Sequence, residues 1–253
     1  MLTLDTEKFY DSVSDFYDDM TSFGKRINTE RPIFKNWLDR YGFKNVLDAA
    51  CGSGLHTIIL TLLGVSTTGT DISMTMLKNA RINARQLGTN PVFVRAPLED
   101  LSIIFKRKFD VIFCLGNTIP HILSQDNLHT IFKGFLKLLT KQGKLIIQLL
   151  NYSKILAEKE RIVSISKNKN QVYVRFYDFL DTFIRFNVLQ INWKNQQPQY
   201  YMKSTHLYPY IYSELQTLLN KADFSVTNNF GNMELTSFDE NESQNVVMIC
   251  EKA

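Results

Sequence analysis

Apolar residues recur at helical spacing through the first 40 residues: Phe9, Val13, Phe16 and Tyr17, then Ile33, Phe34, Trp37 and Leu38. That period predicts two helices. From Lys44 short apolar runs alternate with amphipathic stretches. Residues 46–47 predict a first strand, 55–63 a helix and 65–70 a second strand. Residues 72–87 predict a helix capped by Asp71 or Ser73 and closed by Gly88. Residues 92–95 and 109–114 predict further strands, 123–139 an amphipathic helix and 144–150 a fifth strand after the Gln142-Gly143 turn. Strands and helices alternating through short connections predict an α/β fold, a parallel sheet with helices on both faces. Ligands of such sheets lie at the carboxyl ends of the strands, where strand order reverses.

After Asn151 the rhythm is β-rich. QVYVRFYDF and TFIRFNVLQINW, separated by Leu180-Asp181, predict an antiparallel hairpin with Tyr173, Arg175, Tyr177 and Phe179 on one face. A helix over 213–221 and strands over 224–228 and 245–250 resume the parent sheet. The expected organisation is one domain over 1–253: a helical lid (1–40), a ligand-binding core (41–150), a substrate-covering β insertion (151–206) and a completion of the sheet (207–253).

The chain has 253 residues, 44% of them hydrophobic and 21% charged, so a packed core is expected and global disorder is excluded. A net charge of +4 without a basic stripe argues against a nucleic-acid partner. No stretch is apolar enough for a membrane span and no leader is visible, so a cytoplasmic setting is expected. Cys51, Cys114 and Cys250 lack metal-ligand spacing and are read as buried thiols in a reducing compartment. No metal site is expected.

The candidate chemistry gathers in LDAACGSGLHT, residues 47–57. A phosphate-binding loop needs Gly-Lys-Ser/Thr, and here Gly54 precedes Leu55. A dinucleotide turn needs a third glycine for close helix packing, and Thr57 stands in its place. A third reading keeps the acid: Asp48 ends the strand, Gly52 and Gly54 make the turn, and Asp71 follows 23 residues after Asp48. An acid at about that distance accepts from vicinal ribose hydroxyls.

These segments resemble the class I S-adenosylmethionine-dependent methyltransferases. VLDAACGSG is similar to their first motif, TGTDISMTML to the second, FVRAPLEDL to the third, FDVIFCLGNTIPHIL to the fourth and GKLIIQLLNY to the fifth. The resemblance implies a Rossmann-like, seven-stranded, mostly parallel sheet. It also implies that S-adenosylmethionine is the cofactor and S-adenosylhomocysteine the product. The cofactor residues it implies are Asp48, Ala50, Gly52, Gly54, Asp71, Ile72 and Met76, with Ala96, Pro97 and Leu98 flanking the adenine.

CLGNTIPHIL and LLNYSKIL are similar to stretches of the glycine and sarcosine N-methyltransferases. That likeness implies that Leu115, Gly116, Asn117 and His121 lie beside the methionine part of the cofactor and the acceptor. FYDSVSDFYDDM resembles the lid of the same group, implying Tyr10 and Tyr17 over the transferred methyl and either Arg26 or Arg31 on the cofactor carboxylate. Tyr17, Asn117 and His121 are the expected catalytic residues. One departure stands out: Leu150 occupies the position of the group's arginine clamp for the acceptor carboxylate. It predicts an acceptor without a carboxylate, unless Arg175 or Arg185 from the insertion replaces the clamp.

His121 is the strand-four titratable group able to act near neutral pH; a helix-start histidine bonding backbone is the plainer alternative. His56 reads as structural or cofactor-adjacent, His129 as solvated, and His206 as a residue of the acceptor pocket. The expected function is methyl transfer to a small-molecule acceptor, first an amine nitrogen, then O or S, by a possible homo-oligomer. Methylation of RNA or protein, nicotinamide-dependent oxidoreduction and silent ligand binding are the alternatives.

Overall fold

The computed structural model describes residues 3–168, 170–194 and 197–253. Two helices open the chain, α1 (Thr6–Thr21) and α2 (Phe23–Tyr41). Asp5 caps α1 by accepting from the Lys8 amide, and Ser22, in the left-handed region at φ 58°, separates the two helices.

The parent sheet is built from β1 (Asn45–Ala49), β2 (Ser66–Asp71), β3 (Val92–Arg95), β4 (Phe109–Cys114) and β5 (Leu139–Leu150), with β10 (Phe224–Phe230) and β11 (Asn245–Lys252) added at one edge. Between them run α3 (Leu55–Leu62), α4 (Met74–Gln86), the short α5 (Leu101–Ile104), α6 (Gln125–Leu138), α7 (Tyr152–Glu158) and α8 (Tyr212–Lys221). The strand order is β10-β11-β5-β4-β1-β2-β3. β11 runs antiparallel between β5 and β10, and β1 to β5 are parallel. The order reverses between β1 and β4, which opens a crevice at their carboxyl ends.

Alternation along each strand fills two cores. Leu47, Ala49, Ile112, Leu145 and Ile147 pack with α6 and α8, and Val46, Val111, Phe113 and Ile146 pack with α2 and α3. The α6 stripe of Leu128, Ile131, Phe132, Phe135 and Leu138 is buried; each such side chain contributes roughly 1.5–3 kcal/mol over its exposed state. The start of α4 is fixed by Ser73, whose hydroxyl accepts from the Met76 amide, rather than by Asp71. Among the described residues, no helix is long and apolar enough to cross a membrane.

A second sheet comprises β6 (Ile162–Asn168), β7 (Gln171–Phe179), β8 (Ile184–Lys194) and β9 (Gln197–Leu207), antiparallel in that order. The expected hairpin is its centre, and two flanking strands correct the expectation. Neither strand carries the apolar signal of the central pair: four of the seven residues of IVSISKN are polar, and QPQYYMKSTHL holds a proline, tolerated at an edge. The inward face carries Tyr173 and Tyr177. Phe16 of α1 stacks on Tyr173 at 5.4 Å and Phe9 meets Phe186 at 5.8 Å, so α1 lies between this sheet and α4. Leu4 pairs with Thr205, tying the chain's start to β9.

Candidate active site

The loop after β1 turns through left-handed Ala50, Gly52 and Gly54, at φ 63°, 55° and 88°. At Gly54 a side chain is excluded twice over. Besides its φ, an added Cβ would lie 2.9 Å from Ala80 Cβ and 3.0 Å from Phe93 Cζ. The missing side chain lets α3 start against α4.

Gly52 presents its amide to Asp71 at the end of β2, 2.8 Å from Oδ2, while Oδ1 accepts from the Ser73 amide at 2.9 Å. Burial pushes the Asp71 carboxyl up to about 6; the Ser73, Gly52 and Ile72 amides oppose the shift and the Asp48 charge adds to it. Asp48 is itself fully enclosed and accepts from the Thr57 hydroxyl at 2.6 Å. The residue standing where a dinucleotide turn would have its third glycine therefore holds the strand-end acid.

A cavity of about 770 Å³ lies over the carboxyl ends of β1, β2 and β4 and is roofed by α1. Of the residues singled out by sequence, Tyr10, Tyr17, Ala50, Gly52, Asp71, Ile72, Ala96, Pro97, Leu98, Leu115, Gly116 and His121 line it. Asp48, Gly54, Met76 and Asn117 do not. Met76 is enclosed with Phe9 and Val13, where it joins α4 to the lid. Asn117 spends both ends of its amide on scaffold: Nδ2 donates to the Tyr152 hydroxyl at 2.9 Å and Oδ1 accepts from the Leu150 amide at 3.0 Å.

Arg26 lines the cavity, whereas Arg31 is exposed and away from it. The Arg26 Nε donates to Glu30 at 2.6 Å, and the other Glu30 oxygen lies 3.0 Å from His56 Nε2. Burial alone would raise the Glu30 carboxyl, but His56 and Arg26 bring it down to about 2. Arg26, His56 and Leu115 also border a smaller cavity of about 340 Å³.

On the opposite flank, the Tyr10 hydroxyl and His121 Nε2 are 2.9 Å apart, and His121 Nδ1 is enclosed without a partner. Burial lowers the His121 imidazole to about 4, so it is neutral at pH 7. Cys51, Ser53 and His56 of the loop also line the cavity, as do Thr21 and Phe23 at the α1–α2 junction and Leu123, Ser124 and Asn127. The loop residues adjoin the glycine motif in sequence. The junction and residues 123–127 carry no chemical signature, and only the fold brings them to the cavity.

Residues 46–143 match the family model described as a methyltransferase domain. The glycine/sarcosine N-methyltransferase of Halorhodospira halochloris is 30% identical over 151 residues, 60% of this chain and 56% of that protein. The chain spans about half the length of the curated relatives it matches. Among solved structures, the CcbJ methyltransferase of Streptomyces caelestis superposes with a TM-score of 0.82 at 20% identity, over 99% of this chain and 100% of its own. A S-adenosylmethionine-dependent methyltransferase from Clostridium acetobutylicum gives 0.81 at 17% identity, over 96% and 99%. At these identities it is the fold that is shared. Residues 46–143, which hold the glycine loop and the strand-end acids beneath the cavity at the strand-order reversal, thus match a methyltransferase domain, and the chain is similar in sequence to the glycine/sarcosine N-methyltransferases and in fold to S-adenosylmethionine-dependent methyltransferases.

Proposed function

We propose that this protein transfers the methyl group of S-adenosylmethionine to an amine nitrogen of a small molecule. The observation that carries the reading is Asp71. Its carboxylate lines the cavity; Oδ2 accepts from the Gly52 amide and Oδ1 from the Ser73 amide, and a carboxylate has acceptor sites beyond these for a pair of vicinal hydroxyls. The rest of the wall fits the same ligand. Ile72, Ala96, Pro97 and Leu98 offer apolar surface for adenine, and Arg26 has donors beyond the one given to Glu30 for a carboxylate. The volume is that of a small-molecule site.

When bound, the sulfonium supplies an electrophilic methyl group. The residues of this chain supply proximity and dryness. Tyr10 and Tyr17 close the cavity from above, excluding water from the reacting centre. Neutral His121 fixes the Tyr10 hydroxyl at the cavity wall through its Nε2, so that this tyrosine is held in place beside the acceptor. An uncharged amine needs no base before attack; the product ammonium then releases its proton to solvent. Asp48, Gly54, Met76 and Asn117 act behind the wall. Asp48 braces α3 through Thr57, and Asn117 braces the β4 loop against β5.

The acceptor is small, and neither a nucleic acid nor a membrane is its carrier in this reading. Three free thiols suit a reducing cytoplasm. A panel of small amines, thiols and phenols, read as S-adenosylhomocysteine release, tests the proposal. Amines should give the fastest release. Labelling of a tRNA or peptide pool with no release from the small-molecule panel would overturn it.

A further inference from the structure

The end of the parent sheet opposite the cavity carries a surface that methyl transfer does not use. The short helix α5 exposes Ile103 and Ile104, which are 67% and 43% accessible, while Leu101 and Phe105 pack into the core with the α6 stripe. Ser102 lies over Gly134, where an added Cβ would meet its hydroxyl at 3.5 Å, so α5 is seated directly on α6. The chain then runs through Lys106, Arg107 and Lys108, all exposed, into the first residue of β4.

Packing brings further cations to this end from distant parts of the chain. Lys108 donates to the Lys137 carbonyl at the end of α6, and Lys252 at the end of β11 donates to the Leu139 carbonyl at 3.0 Å. Burial, and then the Lys108 charge, lowers the Lys252 ammonium, so these two cations lie within electrostatic reach of each other. Exposed Lys137 and Lys141 flank Leu139 in the chain. Arg107 turns away, to the Thr68 hydroxyl and over the Phe109 ring at 5.0 Å, which leaves five lysines at this end. The neighbouring acids are engaged: Asp110 accepts from the Lys44 and Asn45 amides, each at 2.9 Å, Glu251 pairs with Lys144, and Asp223 pairs with Lys133.

Two exposed isoleucines beside a cluster of lysines suit a negatively charged bilayer surface, where the lysines meet phosphate headgroups and the isoleucines enter the acyl boundary. A nucleic acid would use the lysines and leave both isoleucines in water. A second copy docked through the same face would set like charges against one another. We propose that this end of the molecule docks peripherally and reversibly on anionic phospholipid, with Ile103 and Ile104 inserted and Lys106, Lys108, Lys137, Lys141 and Lys252 on the headgroups. The cavity lies at the other ends of the same strands, so docking keeps it clear of the lipid.

The test sediments the full chain with vesicles of phosphatidylcholine, alone or mixed with phosphatidylglycerol, at low and high salt. The parent should bind the mixed vesicles at low salt, ignore the neutral ones and be released at high salt. Lys106→Glu combined with Lys108→Glu should weaken binding about 10-fold or more. Ile103→Ser combined with Ile104→Ser should weaken it about 10-fold. Lys167→Glu, on the second sheet, should match the parent. A DNA duplex offers the same charge without an acyl layer, so the isoleucine variant should bind it no differently from the parent. Failure of the parent to bind the mixed vesicles would overturn the proposal, as would vesicle binding that the isoleucine variant retains in full. Tight DNA binding with no vesicle binding would assign the surface to a nucleic acid instead. These side chains are exposed, so thermal melts should be unaltered; should the double isoleucine variant melt early, Ile103→Ser alone carries the same comparison.

Discussion

Asp71 is held in tension. Its carboxyl moves from an ordinary 3.8 to about 6, mainly through burial, and a shift of that size corresponds to about 3 kcal/mol. The sign is unfavourable to the empty fold at neutral pH. The folded chain binds the proton more tightly than the unfolded chain, so this group's stabilising contribution is complete below about pH 4 and lost as pH rises through about 6. Ribose hydroxyls donate best to the ionised form. Affinity for S-adenosylhomocysteine should therefore rise between pH 5 and pH 7.5, measured by calorimetry, and Asp71→Asn should weaken it by about 1–3 kcal/mol and flatten that rise. A flat profile in the unaltered protein would remove Asp71 from the ribose. Asp48, the more obvious acid of the motif, is likewise raised by burial, but Thr57 takes its oxygen within the core and it does not line the cavity.

Helix α1, which roofs the cavity, is pinned on its polar side by α4. Asp11 accepts from the Ser73 hydroxyl and from the Thr75 hydroxyl at 2.7 Å, and Asn79 and Asn83 of α4 donate to the Ser14 carbonyl and to Asp18, each at 2.8 Å. Ser73 thus links the lid, the α4 cap and, through its amide, Asp71. Cofactor binding should slow amide exchange across residues 6–21. Asp11→Ala should speed that exchange by about tenfold and weaken cofactor binding by about 1–2 kcal/mol. Unchanged exchange would mean that the apolar contacts of Phe9 and Val13 alone fix the lid. Sequence periodicity predicts α1 as a helix, but the polar residues that pin it lie 62 and 64 positions away in the chain and are invisible to any local pattern.

At the scale of the whole molecule, a ligand in the cavity contacts the β1 and β2 loops, the β4 loop, α1 and α2 at once. Saturation at about 100 times Kd should stabilise the fold by about 2.7 kcal/mol, or roughly 5–11 °C in Tm for a chain of this size. S-adenosylhomocysteine should produce that shift in a thermal melt and NADH should not. The reverse result would favour the oxidoreductase alternative that Thr57 argues against.

The parent sheet, the glycine turn and most of the cavity wall are legible in the sequence because they rest on local chemistry. Alternating apolar runs specify buried strands, a glycine specifies a left-handed turn, and a strand-end acid follows each by simple spacing. Three choices belong to the tertiary structure. The choice of Arg26 over Arg31 depends on which side of α2 faces the cavity. The withdrawal of Asn117 depends on Leu150 at the end of β5 and Tyr152 at the start of α7 reaching it. The engagement of Arg185 and of Arg175 depends on Asp178 and Ser164, which accept from them across neighbouring strands and within the same sheet. In each, residue type was equal among the candidates, and long-range pairing through packing, which no local spacing encodes, decided between them.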